Sequence, residues 1–397
     1  MAGGTVGVQG SSNAGMIAGM VPPWLEPRSA YIHIPFCAHH CGYCDFAVTA
    51  GQDHLIDLYL EALGIELAAL TEPKAIRTLF LGGGTPSHLN LRQIDRLFAD
   101  LDCWLRRVPD AEVSLEANPD TFDAEKAKLL AAHGVNRISL GVQSFQPRLL
   151  RTLERQHEAR QVAPAIDAAK RFNGRVSLDL IFGVPGQTLG EWECDLRQAL
   201  DFEPEQISTY GLTFEKGTRL WKQQQAGDVQ PLDEDLELRM YQFAMEFLEA
   251  NGFEQYEISS FAKPSCGCIH NQVYWANEAF WGFGVGAAAY VGGTRTLNVR
   301  NTQDYIKRLF ASESPVFQTE TLPPEGRARE TLALNLRRAA GVHRLRFREQ
   351  TGFEVDALAG PTIRRFVDAG LMIEEGDSVR LTRAGRCVAD SLVADLL

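Results

Sequence analysis

The sequence predicts an α/β protein: a partial, open barrel of six parallel strands followed by a small C-terminal winged-helix-like domain. Three observations predict it. Short β-branched runs alternate with amphipathic helical stretches from Tyr31 onward, the pattern of repeated right-handed βαβ units. The runs number six, short of the eight that close a standard barrel. Near the C-terminus, after a helix, two further β runs are joined by a polar turn.

The six strands are expected at Ala30–Ile34, Arg77–Leu81, Glu112–Ala117, Asn136–Gly141, Val176–Phe182 and Gln206–Leu212. Helical stretches lie between them near 53–70, 91–106, 123–133, 159–171 and 188–200. In the first, Leu55, Leu58, Ala62 and Ile65 recur every three or four residues and form the expected apolar face. Thr188 with Glu191 makes a capping box, and Asn90 with Gln93 a looser one. A sixth helix is expected over about Asp233–Ala250, then a Gly-rich segment, Gly282-Phe-Gly-Val-Gly286, and short mixed elements to about Ser314. Pro315, Pro323 and Pro324 mark a boundary. The expected organisation is thus a flexible tail over 1–28, the barrel over 29–232, a barrel extension over 233–314 and the winged-helix-like unit over 315–397.

Charge and cysteine usage exclude several classes. Lys plus Arg number 39 against 51 Asp plus Glu, a net charge of −12. A polyanion repels phosphate backbones and anionic lipids, which argues against nucleic acid as a partner and allows at most transient membrane association. No run of 18 apolar residues is long enough to span a bilayer. The first 28 residues carry no charge before Glu26 and lack the basic start of a secretory signal; a disordered tail or an overlong start is expected, with an unusual targeting peptide as the alternative. Eight cysteines are too sparse for a secreted disulfide scaffold, so a cytoplasmic chain with reduced thiols is expected.

Three of those thiols are grouped. Cys37-Ala-His-His-Cys41-Gly-Tyr-Cys44 places a C-x3-C-x2-C spacing directly after the first strand. With 8 cysteines in 397 residues, such a trio arises by chance about 0.003 times. Two metals compete for it. Zinc needs a fourth ligand, which His33, His39 or His40 would supply. A [4Fe–4S] cluster accepts three thiolates and keeps one iron open to a substrate or cofactor.

Other unusual residues gather at strand ends. The second strand runs into Gly82-Gly-Gly-Thr-Pro86, where consecutive glycines expose backbone polar groups and permit close approach of a ligand. Glu116 ends the third strand, Gln143 follows the fourth, and Asp179 lies inside the apolar run Val176–Phe182, where a carboxylate needs a partner. Each alone reads as a capped or paired structural residue. In a parallel barrel all of them point to the same C-terminal rim, and the cysteine loop opens there too.

The cysteine loop, the GGGTP turn and the strand Arg137-Ile-Ser-Leu-Gly-Val-Gln-Ser-Phe145 resemble the radical SAM superfamily. Within it, the chain is similar to the oxygen-independent coproporphyrinogen III oxidases and their relatives, the HemW group of heme chaperones, over about residues 29–390. The resemblance implies a partial (β/α)6 radical SAM barrel. Cys37, Cys41 and Cys44 would ligate a [4Fe–4S] cluster, and S-adenosyl-L-methionine would chelate the open iron. Tyr31 and Tyr43 would contact that cofactor, Gly83, Gly84 and Thr85 would hold its methionine end, and Glu116, Gln143, Arg155 and Asp179 fall at contact positions for one of two bound adenosylmethionines.

Departures from the oxidase pattern direct the reading further. The oxidase carries another cysteine two positions after the third ligand; here Phe46 stands there, in the Cys44-Asp-Phe46 form of the chaperone group. His270-Asn-Gln-Val-Tyr-Trp275 resembles that group's HNxxYW signature, with His270 as an axial ligand of heme iron beside aromatic rings able to stack on a porphyrin. The resemblance therefore implies a heme chaperone with heme and apo-hemoproteins as partners, respiratory acceptors and a homodimer being candidates, and with adenosylmethionine cleavage as an open activity. The alternative is radical decarboxylation of coproporphyrinogen propionates. Cys266 and Cys268, outside the pattern, are expected as a soft-ligand pair, a heme thiolate ligand or plain loop thiols; Cys103, Cys194 and Cys387 are expected as small packing residues.

Overall fold

A computed structural model describes residues 22–397. All six expected strands are present: β1 (Ser29–Ile34), β2 (Lys74–Gly83), β3 (Leu105–Ala117), β4 (Arg137–Gln143), β5 (Arg175–Phe182) and β6 (Gln206–Gly211). They pair in parallel in chain order. The intervening helices are α1 (Ile56–Ala68), α2 (Leu91–Trp104), α3 (Ala124–Ala132), α4 (Ala159–Phe172) and α5 (Leu189–Asp201). Both expected capping boxes form, at Asn90 and at Thr188, satisfying N–H groups that a helix start otherwise leaves open. Short helices at Pro147–Thr152 and Arg219–Ala226 were not expected.

The sheet extends beyond the six. Trp281–Phe283 adds a parallel strand beside β1, and Ser260–Ala262 with Glu254–Gln255 adds two antiparallel strands beyond β6. The Gly-rich segment is therefore a strand and its turn. A Cβ on Gly282 would lie 1.8 Å from the Ala288 carbonyl oxygen, and one on Gly284, at φ +101°, would lie 2.5 Å from the Tyr59 hydroxyl. The close approach expected there is to the protein's own chain, not to a ligand.

Strand alternation sorts the side chains. Ile32, Leu79, Leu115, Leu140 and Leu178 pack into one core with the helices, while Tyr31, Thr78, Glu116, Ser139, Asp179 and Ser208 take the other, polar face inside the barrel. The expected face of α1 needs correction. Its buried residues are Ile56, Tyr59, Leu60, Ala62, Leu63 and Leu67, whereas Leu58 and Ile65 are exposed. This helix is apolar on nearly all sides, so periodicity does not single out a stripe.

The C-terminal unit has a separate core that includes Leu332, Leu336, Phe347, Ile363, Phe366 and Val379. Helices Pro324–Leu336, Arg344–Thr351 and Val355–Asp368 pack on a three-stranded sheet, Val342–His343, Ser378–Leu381 and Met372–Glu375, with the last two forming the expected hairpin. It docks on the barrel extension through Gln350, whose amide donates to the Ala276 and Asn277 carbonyls at 3.0 Å. Of the expected tail, residues 1–21 lie outside the described residues. Residues 22–28 are held: the Pro23 carbonyl accepts from Ala279 N at 3.0 Å and the Arg28 carbonyl from Arg77 N at 2.6 Å. Among the described residues no helix is long and apolar enough to cross a membrane.

Candidate functional site

A cavity of about 470 Å³ opens at the C-terminal rim of the barrel. Cys37, Cys41, Cys44, Tyr43, Gly83, Gly84, Thr85, Glu116, Gln143, Arg155 and Asp179 all line it. Residues up to 142 positions apart in sequence, Cys37 and Asp179 among them, meet because every parallel strand delivers its C-terminal end to the same rim.

The cysteine loop is pinned from several sides. Gly42 O accepts from Leu220 N at 2.8 Å, His40 Nε2 donates to the Cys44 carbonyl at 3.0 Å, and Arg300 holds the Asp45 carbonyl. Cys37 Sγ lies 3.3 Å from Thr85 Oγ1, and Arg155 Nη1 donates to Cys41 Sγ at 3.6 Å. Burial raises the Cys37 thiol to about 12 and the Cys44 thiol to about 11, each also opposed by the other two cysteines or one of them. Thiols so placed keep their protons at neutral pH until a metal displaces them, which suits metal ligands better than free nucleophiles. Of the histidines open to the zinc reading, His39 and His40 line the cavity with the cysteines, and His40 is tied to the loop's own Cys44 carbonyl. His33 uses Nδ1 with the Tyr31 hydroxyl and Nε2 with the Ala47 carbonyl, and His39 faces Glu154 at 3.8 Å.

The glycine turn is a cradle of backbone. Gly83 sits at φ +105°, and a Cβ there would lie 2.3 Å from the His33 ring; a Cβ on Gly84 would lie 2.6 Å from the Pro35 backbone. Its amides are already used. Gly83 N donates to Glu116 Oε2 at 2.9 Å, Gly84 N to Ile34 O at 2.8 Å and Thr85 N to Phe36 O at 2.9 Å. The expected exposed N–H groups are therefore absent, and the turn offers a ligand carbonyl oxygens, which accept from an ammonium.

Across the cavity stand two acids, Glu116 and Asp179, that form no ion pair among the described residues. Burial raises Glu116 to about 7, partly offset by the Gly83 N–H and increased by Asp179. Burial likewise raises Asp179 to about 6 against hydrogen bonds from Ser139, at 2.9 Å, and Ser208. A bound cation would restore both charges. Arg155 is not the exposed helix arginine its context allowed. It donates to Asn118 Oδ1 at 2.6 Å and to the Gly141 carbonyl at 2.7 Å, while its shielded Nε has no partner among the described residues. Gly141 leaves room for this convergence, since a Cβ there would lie 3.0 to 3.3 Å from Gln143, Asn118 and Arg155. Gln143 itself holds φ +64° at a shift of strand register, a strained backbone of the kind that collects at functional sites. Asn118, which ties Arg155 to Thr85, was not anticipated; its position two residues beyond Glu116 at a strand end was the available signal.

Two expected contacts lie elsewhere. Tyr31 does not line the cavity: its hydroxyl meets His33 at 3.0 Å and its ring stacks on Phe80, beneath the glycine turn. It reaches the site through the hydrogen bond to His33 and through its electrostatic interaction with Glu116. His270 lies at the opposite end of the barrel, on the helix Ile269–Trp275, and is 0% exposed. Its Nδ1 meets Thr78 Oγ1 at 2.8 Å, its Nε2 the Tyr274 hydroxyl at 2.7 Å, and its ring stacks on Phe80. Both nitrogens are taken, so this conformation does not offer His270 to a heme iron. The buried Glu112 carboxylate seats the helix, accepting from Ile269 N at 3.0 Å, His270 N at 2.9 Å and Cys268 Sγ at 3.4 Å. Cys268 is thus a buried structural thiol, and the Cys266 carbonyl accepts from Arg137 at 3.0 Å. Cys103, expected to pack, is exposed.

Comparison with known proteins agrees with this fold. Residues 31–199 match the Radical SAM superfamily and residues 322–388 the HemN C-terminal domain. The chain is 38% identical to the heme chaperone HemW of Bacillus subtilis, covering 93% of this chain and 99% of that protein. It is 32% identical to the Escherichia coli heme chaperone HemW, covering 93% and 98%. The fold superposes on the coproporphyrinogen III oxidase HemN of Escherichia coli with a TM-score of 0.82 at 22% identity, over 93% of this chain and 90% of that one. The chain belongs to the HemW family of the radical SAM superfamily.

Proposed function

We propose that this protein is a heme carrier that binds heme and passes it to apo-hemoproteins, while holding a [4Fe–4S] cluster and S-adenosylmethionine at the barrel rim. Kinship with heme chaperones along nearly the whole chain carries the reading. Phe46 supports it over the porphyrinogen oxidase: the position where that enzyme has a cysteine here presents a ring that is 64% exposed at the cavity mouth.

Cys37, Cys41 and Cys44 would hold the cluster. Gly83, Gly84 and Thr85 would receive the amino end of adenosylmethionine on their carbonyl side, and Glu116 and Asp179 would ionise against its positive charge. Arg155, with its unpartnered Nε, and Gln143 would take a carboxylate. Tyr43 closes the cavity beside Cys41 and Arg155. When bound, the cluster and its cofactor supply one-electron cleavage of a sulfonium; the chain orients them and excludes water.

The test is an anaerobic heme titration of cluster-reconstituted protein, followed by mixing with an apo-hemoprotein. One heme per chain, released to the acceptor, is the expected result. Absence of saturable binding overturns the carrier reading, and loss of carboxyl mass from coproporphyrinogen in the same preparation would put the oxidase in its place. Failure of the reduced protein to form deoxyadenosine would assign the cluster a structural or regulatory role within the carrier reading.

A further inference from the structure

A second cavity, of about 360 Å³, lies at the foot of the barrel, between the start of β1, the helix Ile269–Trp275 and the C-terminal unit. That helix presents two faces. His270 and Tyr274, four residues apart, face the barrel interior, while Ile269, Gln272, Val273 and Ala276 line the cleft. Among the described residues, Arg77, Arg338 and Arg346 line it together with one carboxylate, Glu278.

In a chain of net charge −12, this concentration of guanidinium groups is out of character. Glu278 is committed to Arg346 at 2.8 Å. Arg338 is half-buried, forms no ion pair among the described residues, and reaches only Asn335 Oδ1 at 3.4 Å. Burial and the neighbouring Arg346 both work against its charge, and Glu278 offsets them in part. The Arg77 side chain makes no hydrogen bond or ion pair among the described residues. A half-buried guanidinium with no ion pair among the described residues, sharing an apolar-walled cleft with the exposed Arg77, is matched by a ligand with an apolar body and acid groups.

We propose that this cleft binds the two propionate carboxylates of heme, Arg338 and Arg77 pairing them while Val273 and Ala276 pack against the edge of the macrocycle. The inference rests on the carrier reading above. It moves heme to the outer face of the HNxxYW helix and makes no use of His270 as a ligand. A nucleic-acid backbone does not fit, since the cleft is confined and the surrounding chain is acidic.

The experiment compares heme with heme dimethyl ester in anaerobic titrations of the full reconstituted chain. Wild-type protein should prefer the free acid by about threefold or more, since the pair at the half-buried Arg338 is partly shielded while the one at exposed Arg77 is screened by solvent. Arg77→Ala combined with Arg338→Met should lower heme affinity to that of the ester and leave ester affinity unchanged. Should Arg338→Met fail to fold, Arg77→Ala alone alters an exposed side chain, keeps the Arg346–Glu278 pair, and should still reduce the preference. Arg92→Ala with Arg160→Ala, two exposed arginines elsewhere, should not change it. Heme binding without preference for the free acid, or with the preference intact in the cleft variants, overturns the cleft assignment and leaves the carrier standing. No saturable heme binding by wild-type protein overturns the carrier and the cleft together.

Discussion

The Glu116 carboxylate accepts a hydrogen bond of 2.9 Å from the backbone N–H of Gly83, joining the end of β3 to the glycine turn that follows β2. The same carboxylate leaves no room at the adjoining position, since a Cβ on Gly82 would lie 2.7 Å from Glu116 Oε2. One acid therefore shapes the cradle and contributes charge to the cavity wall.

That double role has a pH signature. Burial moves Glu116 from 4.5 to about 7, so the folded state holds its proton where the unfolded chain has released it. Stability from this group is complete below about pH 4.5 and is lost as pH rises through 7, by on the order of 3 kcal/mol. Glu116→Gln should flatten the fall in urea-unfolding free energy between pH 5 and 7 and weaken adenosylmethionine binding. Adenosylmethionine should itself raise the wild-type melting temperature more at pH 7.5 than at pH 5.5, because only the ionised acid attracts a cation.

Alanine at Gly83 should be costly. It must adopt φ +105° and place its Cβ 2.3 Å from the His33 ring. A loss of about 2–4 kcal/mol in chemical denaturation is expected. Gly51, at φ +69° with open space around it, carries the backbone penalty alone, and Gly51→Ala should cost about 1 kcal/mol.

Thiol labelling should separate the cysteines. In metal-free protein at pH 8, maleimide should modify exposed Cys103 first. Cys37 and Cys44 should lag, because their thiols ionise only near 12 and 11. Cluster reconstitution should then block both, while Cys37→Ser should abolish the brown chromophore with little change in far-UV circular dichroism.

His270→Ala should act on the fold before it acts on heme. It removes a fully buried ring with two hydrogen bonds and a stacked partner, a loss of about 2–4 kcal/mol. Burial also lowers His270 to about 3, so in wild-type protein the neutral ring supports the fold above pH 6.5 and that support fades as pH falls toward 3. The variant should show a reduced acid transition by fluorescence. Heme bound to folded variant should keep the wild-type Soret position, since the ring is not offered as a ligand.

The order and kind of the barrel elements are local properties. Apolar alternation in β1 to β6, and the caps at Asn90 and Thr188, are written in neighbouring residues. The C-x3-C-x2-C loop and the strand-end residues Glu116, Gln143 and Asp179 were legible for the same reason, because parallel topology sends every strand end to one rim. What depends on packing between distant segments was not legible. Leu58 and Ile65 of α1 look as suited to the core as Leu60 and Leu63, and only the sheet beneath decides which stripe is buried. Gly282 reads as a ligand-binding glycine until the Ala288 carbonyl occupies its space. His270 reads as a ligand until Thr78, 192 residues away, and Tyr274 take its two nitrogens. A motif names the side chains available for chemistry, whereas tertiary packing decides which of their polar atoms remain unspent.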